Sequence, residues 1–218
     1  QDKIEGEYSV KVLLIKKDLS VSGAAKEIFE EINKANIKVN VLINNAGFGD
    51  FSAFAESDIG KQVRMMQLNV ITLTELTRLF LPDLIKQKDG KILNVASIAA
   101  FIPGPMMSVY YATKAYVLSF TEAISNELKG SGVTVTALCP GPTKTKFFDA
   151  AEVDNPKFKA LLKNADSLSV AKYGYNSLMK EKVVAIPGFI NKFIVCSVRF
   201  TPRSIIRYLN GKLAQNQN

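Results

Sequence analysis

The sequence contains no histidine and only two cysteines, Cys139 and Cys196. The absence of histidine excludes a Ser-His-Asp triad, a Cys-His pair and a histidine-ligated zinc site. Two cysteines cannot form a tetrahedral thiolate site, and in 218 residues they do not indicate a disulfide framework. We therefore predict no metal centre and a reducing, cytoplasmic setting. Proton transfer must use Tyr, Lys, Asp, Glu, Ser or Cys side chains.

Long apolar runs are also missing. None reaches membrane-spanning length, and the polar first ten residues do not resemble a signal peptide. Hydrophobic residues make up 47% of the chain, which suits the core of one globular domain over residues 1–218.

Negative charge is scarce late in the chain, and the net charge of the whole is +8. From residue 180 onward the sequence has one acidic residue, Glu181, and seven basic residues: Lys180, Lys182, Lys192, Arg199, Arg203, Arg207 and Lys212. Such an excess attracts a phosphorylated cofactor, an acidic membrane surface or nucleic acid, but no interleaved aromatic pattern supports nucleic-acid binding. The apolar and basic stretch 183–209 could lie on a membrane or a subunit interface. We prefer a core-facing helix with a basic outer face.

Short β-branched runs alternate with segments of helical periodicity. The predicted strands are 10–15, 39–44, 91–97, 133–139 and 182–187. The first predicted helix is capped by Ser20 or Ser22 and has Ala25, Ile28, Phe29 and Ile32 on its apolar side. Further helices are predicted at 57–87, 109–129, 155–164 and 167–181, and a last one lies in a C-terminal extension, 188–218. In 57–87, one stripe holds Val63, Met66, Val70 and Leu73. This alternation predicts an α/β fold with a parallel sheet covered on both faces.

Polar segments follow three of the predicted strands. NNAG (44–47) follows the second, Ser97 the third and PGPTKT (140–145) the fourth. Because the carboxyl ends of parallel strands share one edge of the sheet, we expect the three segments to face one crevice.

The helix 109–129 carries a phenol and an ammonium on one face. Tyr110 and Lys114 are four residues apart, whereas Tyr111 and Lys114 are three apart, so spacing alone does not choose between the tyrosines. A free phenol has a pKa of about 10, and a neighbouring ammonium favours the phenolate and lowers that pKa.

Six motifs in this order resemble the classical short-chain dehydrogenase/reductases: Asp18-Leu19, NNAG (44–47), LNV (68–70), VAS (95–97), YYATK (110–114) and PGPTKT (140–145). The resemblance implies a Rossmann-like, doubly wound parallel sheet and an NAD(P)(H)-dependent oxidoreductase that interconverts a carbonyl and an alcohol. It selects Tyr110 as general acid or base, with Tyr111 as a packing neighbour.

The resemblance assigns the remaining roles as well. Lys114 lowers the pKa of Tyr110 and binds the nicotinamide ribose, Ser97 hydrogen-bonds the substrate oxygen, and Asn69 holds a water in the proton relay. The other cofactor contacts it implies are Asp18, Leu19, Asn45, Ala46, Gly47, Pro140, Gly141, Thr143 and Thr145. We expect NADP(H) in preference to NAD(H) because the chain carries an excess of basic residues. The resemblance also implies a homodimer or homotetramer.

One family element has no counterpart here. The glycine-rich TGxxxGxG turn that holds the pyrophosphate is absent, so that the first two strands of the family fold, roughly 45 residues, are missing from the printed sequence. We expect that a preceding segment supplies them in the whole protein. The alternative is a genuine truncation, which would undermine both cofactor binding and activity.

The predicted substrate loops are apolar. They comprise 101–107 and the start of the region 146–181, with Phe101, Ile102, Met106, Met107, Phe147 and Phe148. They favour an apolar substrate, although packing on the protein body or on another subunit explains them equally well. Two other functions stay open: a redox-inactive binding or scaffold protein, and a hydrolase that uses Ser97 and Lys114.

Overall fold

The computed structural model describes residues 1–145, 147, 151 and 166–215 of the chain. Its sheet has four parallel strands in the order β1-β2-β3-β4. They are β1 (Val41–Asn44), β2 (Gly90–Val95), β3 (Val133–Leu138) and β4 (Val184–Ala185). The predicted α/β, Rossmann-like parallel sheet is confirmed.

Helices connect these strands. They are α1 (Asp2–Tyr8), α2 (Ala24–Lys34), α3 (Ile59–Met66), a π-helical segment (Gln67–Thr72), α4 (Leu73–Gln87), α5 (Ser108–Glu127), α6 (Ser167–Met179), α7 (Phe189–Val198) and α8 (Arg203–Gln215). Short 3₁₀ turns cover Phe54–Glu56 and Ile98–Phe101. The predicted helix 155–164 lies outside the described residues.

Both faces of the sheet are covered, as the continuous apolar strands predict. Successive side chains of a strand point to opposite faces. Ile92 of β2 accordingly packs with Phe80 and Leu84 of α4, whereas its neighbour Leu93 packs with Leu178 of α6.

The predicted strand 10–15 is wrong. This segment is irregular, and Val10, Leu13 and Leu14 are exposed. A strand forms only where a neighbour takes up its backbone N–H and C=O groups. β1 is the edge of the described sheet, and 10–15 does not pair with it.

Two smaller predictions fail for local reasons. The residue before α2 is Gly23, with φ +85°, and not Ser20 or Ser22. Ser20 is engaged elsewhere, because its N–H and its hydroxyl both donate to Asp18 Oδ1, at 2.8 and 2.7 Å.

The predicted helix 57–87 is confirmed as a continuous run from α3 to α4, but only the second half of its predicted apolar stripe is buried. Leu73 is buried and Val70 is half-buried. Val63 and Met66 are exposed, whereas Met65 is fully buried. The prediction assumed one helical period throughout. The wider π-helical turn at 67–72 rotates α3 relative to Leu73 and the rest of α4.

The predicted last helix is in fact two helices, α7 and α8, and they are not simply core-facing. Phe189 and Phe193 of α7 are 83% and 67% exposed.

A buried polar network joins the sheet to the long helices. Asn44 and Asn94 are register partners at the ends of β1 and β2, and Asn44 Nδ2 donates to Asn94 Oδ1 at 2.8 Å. Asn44 Nδ2 also donates to Thr77 Oγ1 of α4 at 3.1 Å, and Asn94 Nδ2 donates to Thr121 Oγ1 of α5 at 3.0 Å. Buried polar groups stabilise a fold only when they are paired, so the four side chains act as a unit.

We expect Asn94→Ala to lower the free energy of unfolding by about 2–3 kcal/mol, because it removes two buried hydrogen bonds and leaves a gap. Urea denaturation measures this. The control Asn126→Ala, at an exposed position of the same helix that holds Thr121, should change stability by less than about 0.5 kcal/mol. Equal losses in both variants would mean that the network is not a stabilising unit.

Candidate functional site

The carboxyl ends of the strands bring the predicted polar segments together. Register pairs Asn44 with Asn94 and Val95 with Leu138, so β1, β2 and β3 end side by side. Ser97 then lies against the segment after β3, because its hydroxyl donates to Pro140 O at 3.4 Å. The expectation of one shared edge is confirmed.

The start of α5 separates the two tyrosines. The phenol of Tyr110 forms a side-chain hydrogen bond with Ser97. The ring of Tyr111 instead lies flat on Gly104, where an added Cβ would come within 2.3 Å of the ring. Tyr110 is therefore the tyrosine that faces Ser97, and Tyr111 is the packing neighbour.

Lys114 is buried beneath Tyr110. Its Nζ donates to Val95 O at 2.7 Å and lies 5.8 Å from the centroid of the Tyr110 ring. The Nζ also borders Gly47, whose added Cβ would lie 3.5 Å from it. Helix α5 thus places the ammonium between the end of β2 and the NNAG segment.

The electrostatics of the pair differ from the prediction. Burial raises the pKa of the Tyr110 phenol well above its ordinary 10.0; the Ser97 hydrogen bond opposes this and Tyr111 adds to it. Burial lowers the pKa of Lys114 from 10.5 to about 8, and Cys139 opposes that change. The lowering of the phenol pKa that the resemblance assigned to Lys114 is not seen in this structure, because the ammonium is directed at Val95 O and desolvation dominates.

Asn69 lies in the π-helical segment and is 1% exposed. Its Oδ1 accepts from Phe48 N at 3.2 Å, and its Nδ2 donates to Phe48 O at 3.0 Å and to Thr113 Oγ1 at 3.2 Å. Asn69 thereby ties the backbone after NNAG to α5. The water-holding role remains a prediction, and in this structure the side-chain amide is already engaged with protein groups.

The predicted adenosine contacts line a shallow pocket at the end of β1. Its walls include Leu19, Asn45, Ala46 and Thr72, and Thr72 Oγ1 donates to Leu19 O at 2.8 Å. Asp18 is exposed beside it, and hydrogen bonds from Ser20 hold the pKa of its carboxyl below the ordinary value.

The predicted nicotinamide-side residues follow β3. Thr143 Oγ1 donates to Gly141 O at 2.9 Å, and Thr145 Oγ1 accepts from Phe147 N at 3.2 Å. Gly141 has no room for a side chain, because an added Cβ would come within 2.7 Å of Asn191 in α7. This segment and Ser97 are neighbours through Pro140 O.

Sequence analysis missed Asp50, which is 6% exposed. Its carboxylate accepts from Ser52 Oγ and Gln62 Nε2 and pairs with Lys61 Nζ at 2.6 Å. Burial by itself raises the pKa of Asp50, but these three partners hold it below the ordinary 3.8. The available signal was an acidic residue inside an otherwise apolar loop, GFGDF.

Asp50 fixes a loop that reaches the predicted substrate loops. Ser52 N donates to Met106 O at 2.8 Å, and Phe51 N donates to Ala151 O at 3.1 Å. The ring of Phe147 lies 5.1 Å from that of Tyr110. Apolar side chains therefore border the phenol, although Phe148 and most of 146–165 lie outside the described residues.

The fold and these motifs identify the family. A family model described as short chain dehydrogenase matches residues 1–155. The chain belongs to the short-chain dehydrogenase/reductase family. Its sequence is similar to the oxidoreductase YvrD of Bacillus subtilis, at 33% identity over 129 residues, which cover 59% of this chain and 49% of that protein. It is also similar to the very-long-chain 3-oxoacyl-CoA reductase of Homo sapiens, at 24% identity over 216 residues, which cover 93% of this chain and 69% of that protein.

Solved structures of the family confirm the fold. A short-chain dehydrogenase from Sphingobium yanoikuyae in complex with NADPH matches all of this chain and 80% of its own, with a TM-score of 0.79 and 24% identity. A 7beta-hydroxysteroid dehydrogenase matches 96% of this chain with a TM-score of 0.84. The chain spans about half of the length of YvrD and about two thirds of that of the human reductase.

The buried ammonium should make stability depend on pH. Between the folded pKa of Lys114, about 8, and its ordinary value of 10.5, the unfolded chain binds more protons at this group. Its contribution to stability is therefore fully present above pH 10.5 and is lost as the pH falls through 8. Relative to Lys114→Met, the wild type should gain up to about 3 kcal/mol between about pH 7 and about pH 10.5.

Urea denaturation of both proteins across this range measures the difference. The exposed Lys129→Met is the matched control, because its stability should change with pH in parallel with the wild type. A constant difference between wild type and Lys114→Met would show that burial does not perturb this amine.

Proposed function

We propose that the protein is an NAD(P)(H)-dependent oxidoreductase that interconverts a carbonyl and an alcohol. The observation that carries the proposal is the phenol of Tyr110, hydrogen-bonded to Ser97 with the Lys114 ammonium buried beside it. Family membership supports it, as do relatives described as an oxidoreductase and a 3-oxoacyl-CoA reductase.

Each residue has a role that follows from its state. Because its pKa is raised, Tyr110 is a neutral phenol at neutral pH and can donate a proton to a carbonyl oxygen. The Ser97 hydroxyl is placed to hydrogen-bond the same oxygen as negative charge develops on it. Lys114 carries positive charge beside the phenol, since a pKa of about 8 leaves it mostly protonated at neutral pH. Asn69 positions the backbone after NNAG against this group.

The residues present fit both ends of a nicotinamide dinucleotide, which supplies or accepts the hydride when bound. The pocket with Leu19, Asn45 and Ala46 offers apolar walls for an adenine ring, and Gly47 lets backbone approach closely. Pro140 lies beside Ser97, and Thr143 follows it in the same segment, so we assign the nicotinamide end to this side of the site. We propose NADP(H) in preference to NAD(H), because a net charge of +8 favours the cofactor with the additional phosphate. The Sphingobium relative was solved in complex with NADPH, which supports this choice.

We propose an apolar substrate. The ring of Phe147 packs near that of Tyr110. Met107, at the end of the loop 101–107, lies against Gly49, which follows the NNAG segment, so apolar side chains surround this part of the site. The homodimer or homotetramer and the cytoplasmic location stay predictions.

The structure gives less support to the alternatives. In a Ser-Lys hydrolase the amine would accept the serine proton, but Lys114 Nζ is hydrogen-bonded to Val95 O and the Ser97 hydroxyl to Pro140 O and Tyr110. The redox-inactive interpretation predicts no turnover with any ketone, and it is tested by the experiments that follow.

Tyr110→Phe should lower kcat for NADPH-dependent reduction of apolar ketones by about 100-fold or more, because the general acid is lost. Tyr111→Phe is the matched control and should stay within about threefold, since its ring packs on Gly104 and does not contact Ser97. The measurement is NADPH oxidation followed by absorbance. Equal activity of the two variants would remove Tyr110 from the mechanism.

Cofactor binding is a separate prediction. Fluorescence titration should show NADPH binding more tightly than NADH, and Ala46→Phe should weaken both by about tenfold or more, because a bulky ring fills the pocket beside Leu19. Phe54→Ala, at an exposed position away from the pocket, is the control. Absence of binding by either nucleotide would favour the redox-inactive alternative.

A further inference from the structure

Helices α7 and α8 and the turn between them expose a series of large apolar side chains, which together we call the α7–α8 surface. Its members are Phe189, Ile190, Phe193, Ile194, Phe200, Ile205, Tyr208 and Leu209. Phe189 and Phe200 are each 83% exposed, and Ile190 is 71% exposed. Single exposed apolar side chains are ordinary, but many large ones concentrated in one segment indicate an interaction site.

Each helix is held by one side only. In α7, Asn191 and Val195 face inward, while Phe189, Ile190 and Phe193 occupy the opposite side at spacings of three and four residues. In α8, the inward side holds the buried Ile206 and Asn210, whose Nδ2 donates to Pro103 O at 2.8 Å. Ile205, Tyr208 and Leu209 form a separate stripe that faces solvent. The exposed apolar side chains are therefore a second face and not a loose core.

The same segment is strongly basic. Five exposed cations lie between or beside the apolar residues: Lys192, Arg199, Arg203, Arg207 and Lys212. The sequence has no Asp or Glu after Glu181, and none of the five cations forms an ion pair within the described residues. Lys212 Nζ sits over the ring of Tyr208, 4.7 Å from its centroid, so basic and apolar groups share one surface.

Charge decides between the two classes of occupant. A second copy of this surface would bring like charges together without any carboxylate to pair them. An anionic lipid surface instead pairs the cations with headgroups and accepts the aromatic and aliphatic side chains below them. In the described part of the chain, none of the helices has the length and apolar character needed to cross a bilayer.

We propose that the α7–α8 surface docks the protein on membranes that contain anionic lipids. Docking would bring lipid next to the loop 101–107, because Asn210 of α8 is bonded to Pro103, and α7 touches the segment after β3 through Asn191 and Gly141.

Co-sedimentation of the full chain with vesicles tests the proposal. Binding to vesicles of phosphatidylcholine with phosphatidylserine should exceed binding to phosphatidylcholine alone, and should weaken as salt is raised. R199Q/R203Q/R207Q should reduce the vesicle partition coefficient by about 100-fold, since each neutralised cation is worth about fivefold near an anionic surface. F189S/F193S/F200S should abolish binding by removing the groups that enter the interface.

Matched variants on other helices are the controls. K34Q/R78Q/K86Q removes as many exposed cations, and F54S/I59S/V63S removes as many exposed apolar residues, so neither should change vesicle binding. Wild-type protein that binds both vesicle types equally, or neither, would overturn the proposal. The proposal would also be overturned if the wild type did not bind vesicles and F189S/F193S/F200S had a different oligomeric mass in gel filtration. That result would mean that a second copy of the chain covers the α7–α8 surface. Sedimentation is read without turnover, so failure of the proposed reductase function leaves this test unaffected.

Discussion

The buried ammonium of Lys114 is the group around which the site is arranged. A buried cation is costly unless polar groups replace its hydration, and here Val95 O is the hydrogen-bond acceptor. A neutral carbonyl offsets less of that cost than a carboxylate would, which is consistent with a pKa lowered to about 8. The strand end that offers this carbonyl, the close backbone of Gly47 and the helix α5 must all be in place before the charge can be held.

The state of Tyr110 follows from that arrangement. The Lys114 ammonium lies 5.8 Å from the centre of the phenol ring, yet burial raises the pKa of the phenol. Desolvation therefore outweighs the ammonium in this geometry. The phenol stays protonated and so keeps the proton that carbonyl reduction needs, but burial also makes it a weaker acid, and proton transfer needs positive charge or hydration added beside it. The reverse reaction needs the phenolate and hence further positive charge or hydration at the same place.

The sequence predicted those parts of the molecule that depend on local pattern. Buried parallel strands, the helices between them and the order of the motifs all follow from periodicity and residue type, and Tyr110 was selected by spacing within the family. Features that depend on distant partners were not predicted. Strand formation at 10–15 requires a neighbour, the π-helical turn that carries Asn69 leaves no mark in apolar spacing, and the network of Asn44 and Asn94 depends on strand register.

The same limit explains the C-terminal helices. The sequence shows that 183–209 mixes apolar and basic residues, but an amphipathic helix can bury either of two stripes, and only its packing partners decide which. Here each inward face is narrow: it holds Asn191 against Gly141 and the buried Val195 in α7, and Asn210 bonded to Pro103 and the buried Ile206 in α8. Helices anchored through asparagines leave their aromatic side chains outside.

The loop 101–107 is where these separate constraints meet. Asn210 of α8 holds Pro103, Ser52 in the loop fixed by Asp50 holds Met106, and Tyr111 of α5 packs on Gly104. Because three elements hold this loop, its apolar side chains lie beside Tyr110 in a defined geometry. Such a loop is already ordered before a ligand binds, which lowers the entropic cost of binding. The residue next to the proposed acid therefore has a structural role of its own, because the ring of Tyr111 packs on Gly104 and holds the loop beside Tyr110.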